Sequence, residues 1–315
     1  MAHYRDACIV LASPACTKAE ARHDVMVPYS SGTQPPRIVL PPGATDCHHH
    51  IFDPGYPQPR GLRPLPQAYH EHPPDIAAYR LFQQRLGLTR SVIVTPSHYG
   101  DDNSLLVDAL QAMGQDHARG VAIVKPDVVD AELDRLHTAG VRGVRVYLAP
   151  DRAPTPEQLQ NMGRRLADRG WHLHMAGLRN EEIFPKWEQA LANLPCRIVI
   201  DHLGYAPQPA GEQSATADVI RRLLDNGRTY VKLSGVYLQS KVGYPDYPDV
   251  DALAMDLIEK APERMVWGSD WPHVGAIGPS PDGARLVDQL SRWTDSDAIQ
   301  HMIWVKNPGR LYWDA

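Results

Sequence analysis

The chain has 315 residues, a formal net charge of -5, 43% hydrophobic residues and 22% charged residues. Those values describe a soluble globular protein with enough chain for one full α/β core. They give no basic field for nucleic acid, and no apolar run approaches the roughly 20 residues of a membrane span.

Residues 1–43 read as an N-terminal extension, partly flexible, because Ser30–Pro42 is rich in Ser, Gly and Pro. The short apolar run Cys8–Ala12 raises a secretory leader, which is set aside because its apolar core is only about 5–8 residues. The four cysteines, Cys8, Cys16, Cys47 and Cys196, form no CxxC pair. They read as reduced structural thiols and place the protein in the cytoplasm.

From residue 44 to 315, short apolar runs alternate with helical patterns. The first strand, Thr45–Ile51, carries His48, His49 and His50. Side chains alternate along a strand, so His48 and His50 share one face and His49 points toward the helices. Pro54–Pro74 follows, a Pro-rich connection long enough to form a semi-rigid wall or lid over a site. The remaining predicted strands are Ser91–Thr95, Gly120–Lys125, Gly143–Leu148, His172–Ala176, Arg197–Asp201, Tyr230–Ser234 and Met265–Ser269. The predicted helices are Asp75–Leu86, Asp102–Met113, Asp130–Ala139, Pro156–Arg169, Glu181–Ala192, Thr216–Asn226, Val250–Lys260 and Pro281–Ser291. Two more, Asp295–Val305 and Pro308–Tyr312, come after them. Eight strand–helix units predict an α/β fold, a (β/α)8 TIM barrel with an N-terminal arm and extra C-terminal helices. A doubly wound open sheet lacks a Gly-rich phosphate loop after its first strand.

A barrel sets its first and last strands side by side, so His48, His50 and Asp270 can share one site at the C-terminal rim. Paired histidines suit metal ligation or carbonyl polarisation, and a carboxylate at an apolar mouth suits a general base. His202 comes just after the sixth strand and His98 just after the second. Arg145 and Tyr147 share a face of the fourth strand. An arginine inside a barrel needs an anion, either a substrate carboxylate or an internal aspartate.

The ordered motifs Asp46-Cys47-His48-His49-His50, Gly140-Val141-Arg142-Gly143-Val144-Arg145, Asp201-His202, Lys232-Leu233-Ser234-Gly235 and Trp267-Gly268-Ser269-Asp270-Trp271-Pro272-His273 run along the chain. With Asn307-Pro308 they resemble the amidohydrolase superfamily (amidohydrolase-related family 2) over about residues 44–313. The likeness is greatest to its 2-pyrone-4,6-dicarboxylate hydrolase and D-galactarolactone isomerase branch. That resemblance implies a lactone-opening hydrolase with His48, His50, His202 and Asp270 as its core and Arg145 on a substrate carboxylate. It implies further contacts from His98, Tyr147, Tyr237, His174 and Arg152. The arginine that the dicarboxylate hydrolase has just after strand 7 is missing; Leu238 and Gln239 stand there. Metal-binding relatives place a histidine where Ala176 stands, with His174 two residues deeper. A cofactor is therefore not favoured, and the zinc alternative would use His48, His50, Asp270 and His174.

The expected reaction is attack of Asp270-activated water on the ring carbonyl of a pyrone-dicarboxylate-like, muconolactone-like or sugar-acid lactone. Lactone isomerisation, with a substrate hydroxyl in place of water, uses the same residues. A mononuclear zinc hydrolase or decarboxylase is the third reading, and a non-catalytic acid-binding protein the fourth. The expected partner is a small lactone or carboxylic acid, with no nucleic acid, no membrane, and homo-oligomerisation left open.

Overall fold

The computed structural model describes residues 26–149, 152–177 and 182–314. The Cys8–Ala12 run and Glu181, the predicted start of the fifth helix, lie outside them. Among the described residues eight strands form one parallel sheet in the order β1 to β8. They are β1 (Thr45–His49), β2 (Arg90–Val94), β3 (Ala118–Ala122), β4 (Val141–Tyr147), β5 (His172–Ala176), β6 (Arg197–Ile200), β7 (Thr229–Leu233) and β8 (Met265–Trp267). Two backbone hydrogen bonds close the ring just past the last strand. Asp270 N–H donates to the His48 carbonyl at 2.8 Å, and His50 N–H donates to the Trp271 carbonyl at 2.8 Å. Gly268 permits this approach, because a Cβ there would sit 2.8 Å from the His48 Cβ. The fold is the TIM barrel that the alternating pattern predicts.

The strands are buried on both faces, as parallel strands flanked by helices must be. Cys47, Val92, Val94, Val121, Val199, Tyr230 and Val266 form an inner apolar cluster, plugged by Leu311 and Tyr312. Asn307, fully buried, fastens the C-terminal turns beneath β8 by donating to the Pro262 and Met265 carbonyls at 2.8 and 2.7 Å. No helix is long and apolar enough to cross a membrane.

Element ends shift from the sequence pattern by a few residues, and three differences bear on the site or its surroundings. The third strand runs Ala118–Ala122, not Gly120–Lys125. Asn103 ends it: its Oδ1 accepts from Ile123 N–H at 3.1 Å and its Nδ2 donates to the Ile123 carbonyl at 2.8 Å. Lys125 then lies outside the barrel, paired with Asp101 at 3.2 Å. The predicted helix Pro281–Ser291 is split at Gln289 into Gly283–Asp288 and Leu290–Trp293. A short helix, Gln67–Glu71, sits inside the Pro-rich connection.

The described part of the N-terminal segment lies along the barrel. Trp271 Nε1 donates to the Pro28 carbonyl at 3.0 Å. The buried Arg85 donates to the Gly32 carbonyl at 2.6 Å, and Asp288 Oδ1 accepts from the Arg37 and Ile38 amides. Residues 26–40 thereby brace the loop that carries Asp270.

Candidate active site

The functional side chains gather where the strands end. The β1 register shifts between Asp46 and His49, so Cys47 joins the inner cluster while His48 also faces inward. Asp46 and His49 turn to the helices: Tyr79 donates to Asp46 Oδ2 at 3.0 Å, and His49 stacks on the Tyr79 ring at 3.5 Å. Such a bulge re-aims side chains beside a site. His202 and Asp270 both hold positive φ, at 52° and 60°. That left-handed geometry is unfavourable for residues with a Cβ, and the surrounding packing maintains it. Gly235 leaves room for the His202 ring, since a Cβ there would lie 2.6 Å from its Nδ1.

His48 Nε2 and His50 Nε2 stand 3.3 Å apart. Asp270 Oδ1 faces both, at 3.5 and 3.6 Å, and His202 Nε2 at 3.9 Å. The Tyr237 hydroxyl donates to Asp270 Oδ2 at 2.6 Å. Burial alone would raise the Asp270 pKa. His202, His50 and His48 reverse that and hold it well below the usual carboxylate range. His50 Nδ1 lies 2.7 Å from the Val94 carbonyl, which can only accept, so this nitrogen carries a proton.

Beneath them is a buried ionic hub. Arg145 Nε donates to Asp201 Oδ2 at 3.0 Å, and Lys232 Nζ lies 3.2 Å from Asp201 Oδ1 and 3.0 Å from His48 Nδ1. Lys232 and Asp201 are both fully buried. Burial would raise the Asp201 pKa, but Lys232 and Arg145 hold it low. Two cations and two carboxylates, Asp201 and Asp270, thus balance one another around neutral imidazoles.

A cavity of about 450 Å³ opens above the hub, lined by His50, Arg63, His98, Arg145, Tyr147, His202, Leu238 and Asp270 among others. Most of the sequence-predicted residues therefore meet there. His48 lies just below, and Tyr237 reaches the site through Asp270. Two do not line it. His174 is fully buried beside Arg145 on the neighbouring strand, with its Nε2 2.9 Å from His172 Nδ1. Arg152 lines a smaller adjoining cavity of about 100 Å³ that shares Arg145 and Tyr147. His98 is buried at the wall with neither ring nitrogen bonded, leaving polar groups for a ligand to satisfy.

Two site residues escape the sequence pattern. The signal for Lys232 is a lysine in the middle of an apolar strand, in phase with Ser234, whose hydroxyl lies 2.9 Å from His202 Nδ1. Arg63 comes from the Pro-rich connection, where no periodicity tells direction.

Among the described residues two groups have metal-ligand spacing: His48, His50 and Asp270, and His48, Asp201 and His202. The first triangle, 3.3 to 3.6 Å on a side, fits the roughly 3.3 Å separation of ligand atoms about tetrahedral zinc. His48, His50 and Asp270 would hold such an ion, which would polarise a carbonyl and acidify bound water. His174 belongs to neither group.

Residues 45–313 match the amidohydrolase family. The chain belongs to that family. It is 34% identical to a 2-pyrone-4,6-dicarboxylate hydrolase of Comamonas testosteroni, over 88% of this chain and 92% of that one. It is 33% identical to a 4-sulfomuconolactone hydrolase of Rhizobium radiobacter, over 88% and 92%. A D-galactarolactone isomerase of Agrobacterium fabrum is 30% identical over 90% and 94%. A solved protein of Agrobacterium tumefaciens superposes with a TM-score of 0.80, at 28% identity, over 90% of this chain and 98% of that one. These relatives place the chain in the branch that the HxH and Asp270 motifs indicate.

The buried imidazoles give this amidohydrolase a defined acid response. Burial depresses His202, His98 and His273 to about 4 and His174 to about 3, from 6.5. Between those values and 6.5 the unfolded chain binds more protons, so stability rises with pH. Asp46, raised by burial from 3.8 to about 6, acts in the opposite sense over the same window. Four imidazoles outweigh one carboxyl. The thermal midpoint is expected to be flat from pH 8 to 7 and to fall from pH 6.5 toward 4.5. A midpoint that rises on acidification would contradict neutral buried histidines.

Proposed function

We propose that the protein opens the ring of a carboxylate-bearing lactone by attack of water activated at Asp270. The observation that carries this reading is one ionised carboxylate facing three imidazoles in a cavity that also holds Arg145. The names of the relatives support lactone chemistry, in hydrolytic or isomerising form.

Arg145 binds the substrate carboxylate and sets the ring carbonyl against Asp270. A carboxylate held this low is a weak base toward free water. It takes the proton as the water oxygen bonds to the carbonyl carbon and that water becomes acidic. His48 and His202 donate to the developing oxyanion, where each aligned donor contributes about 2.7–4 kcal/mol, while His50, with its proton on Nδ1, borders the substrate without donating to it. Collapse expels the ring oxygen, and Asp270 returns its proton to it. This reading needs no metal; zinc on His48, His50 and Asp270 is the competing one. The setting is cytoplasmic, in keeping with the buried free thiols Cys47 and Cys196, and the partner is a small lactone or acid.

The deciding experiment is a proton-release screen of pyrone, muconolactone, aldonolactone and aldarolactone substrates, with products identified and zinc measured on the same sample. Ring opening that persists after exhaustive chelation is expected. Interconversion of lactones without net proton release would make the enzyme an isomerase. Activity that vanishes when stoichiometric zinc is removed and returns when it is restored would make water activation a Lewis-acid step.

Leu238 lines the cavity where the dicarboxylate hydrolase has an arginine, and the exposed Arg63 stands at the cavity as a second cation. Arg63→Ala is expected to raise KM for dianionic lactones about 3–5-fold, the scale of an exposed ion pair, and to leave monoanions unchanged. Equal KM values for dianions in both proteins would remove Arg63 from recognition.

A further inference from the structure

Lys232 is a buried group that ring opening at Asp270 leaves unused. A lysine is almost never fully buried without a task or a partner, and this one has two partners. Its Nζ is 3.0 Å from His48 Nδ1 and 3.2 Å from Asp201 Oδ1. An ammonium only donates, so His48 Nδ1 accepts and the His48 proton sits on Nε2. The other side of the ring requires the same tautomer independently. His48 Nε2 faces His50 Nε2 at 3.3 Å and Asp270 Oδ1 at 3.5 Å. As a neutral ring His50 has its proton on Nδ1, bonded to the Val94 carbonyl, so its Nε2 then offers a lone pair. Both groups before His48 Nε2 are acceptors, and a lone pair there would meet two others.

We propose that Lys232 is a positioning residue whose hydrogen bond keeps the proton on His48 Nε2. It thereby makes His48 a donor to the lactone carbonyl instead of a metal ligand. The role in ring opening rests on the lactone reading; the choice between proton and metal does not. Without Lys232, the His48 tautomer is free to reverse. Asp201 Oδ1 lies 3.4 Å from His48 Nδ1 and can accept a proton placed there. The His48 Nε2 lone pair then joins His50 Nε2 and Asp270 Oδ1 in a three-donor set, backed by a carboxylate as zinc-bound histidines usually are.

The test begins on the unaltered protein. Nitrogen-15 NMR of histidine-labelled enzyme, with His48 assigned through His48→Gln, is expected to show Nε2 protonated and Nδ1 bare. The reverse tautomer overturns the proposal without any Lys232 variant. Lys232→Met is then expected to lower kcat on the order of 10²-fold, the usual loss for one oxyanion donor, with KM changed less than about threefold. Equilibrium dialysis is expected to show zinc bound about 10–100-fold more tightly by Lys232→Met, the usual range for an outer partner of a ligand. Unchanged zinc affinity in a folded variant overturns the proposal, as does unchanged kcat on a lactone that the wild type opens. If the variant does not fold, the wild-type tautomer decides. If the wild type opens no lactone, the lactone reading fails, and the tautomer and zinc affinity still decide the role of Lys232.

Discussion

Asp270→Asn is expected to lower kcat on the order of 10²-fold or more while the melting temperature stays within a few degrees. The substitution keeps the shape of the side chain. The amide oxygen can still accept from the Tyr237 hydroxyl, which donates to Asp270 Oδ2 at 2.6 Å. The backbone bond from residue 270 to the His48 carbonyl, which helps close the barrel, is untouched. Asparagine also tolerates the positive φ of 60° at this position better than most residues do. The charge is what disappears, and with it the only acid–base group facing His48, His50 and His202 together among the described residues. Steady-state kinetics on whichever lactone the screen identifies, paired with a thermal melt, gives the answer. Near-normal turnover would remove Asp270 from the chemistry, and a collapse in melting temperature would assign it to structure.

The eightfold alternation is legible in the sequence because each strand is an apolar run between punctuated helices. The phase of β1 then tells which histidines face the barrel. The places where strands stop are less legible. Asn103 terminates β3 through two hydrogen bonds to Ile123, and nothing local to residues 118–125 announces a partner fifteen or more positions earlier. The bulge in β1 is similar, since Asp46, where the register shifts, engages Ser269 and Tyr79, both distant in sequence. At the site, polar residues placed on strands by alternation come together: His48, His50, Arg145, Tyr147. Arg63 does not emerge, because a Pro-rich connection has no period from which to read direction. His174 shows the opposite limit. Alternation correctly turns it inward, but depth along the strand decides whether an inward side chain reaches the cavity or pairs with His172 below it.

Arg145→Met is expected to raise KM for acidic lactones about 10–100-fold, the worth of a charged hydrogen bond of 1.5–3 kcal/mol, and to change KM for neutral lactones little. From the sequence, the anion of Arg145 is either a substrate carboxylate or an internal aspartate. The structure pairs it with the internal Asp201 and leaves its guanidinium at the cavity wall. Its Nε is spent on Asp201 Oδ2 at 3.0 Å and one Nη on the Tyr147 hydroxyl at 3.1 Å, while the guanidinium still lines the cavity. Removing it therefore has two consequences of different kinds. Asp201 loses one of two cations in a fully buried setting, and breaking a buried pair costs about 3–5 kcal/mol. Lys232 remains at 3.2 Å from Asp201 Oδ1, so the lower end of that range, about 3 kcal/mol, is expected in urea unfolding. The stability loss applies to any substrate or none. The KM effect depends on whether the lactone carries an acid group. Measuring KM for a matched acidic and neutral pair, at a temperature where the variant is fully folded, separates the two. A shared rise for both substrates would leave Arg145 as the partner of Asp201 and nothing more, and the carboxylate would have to be sought at Arg63.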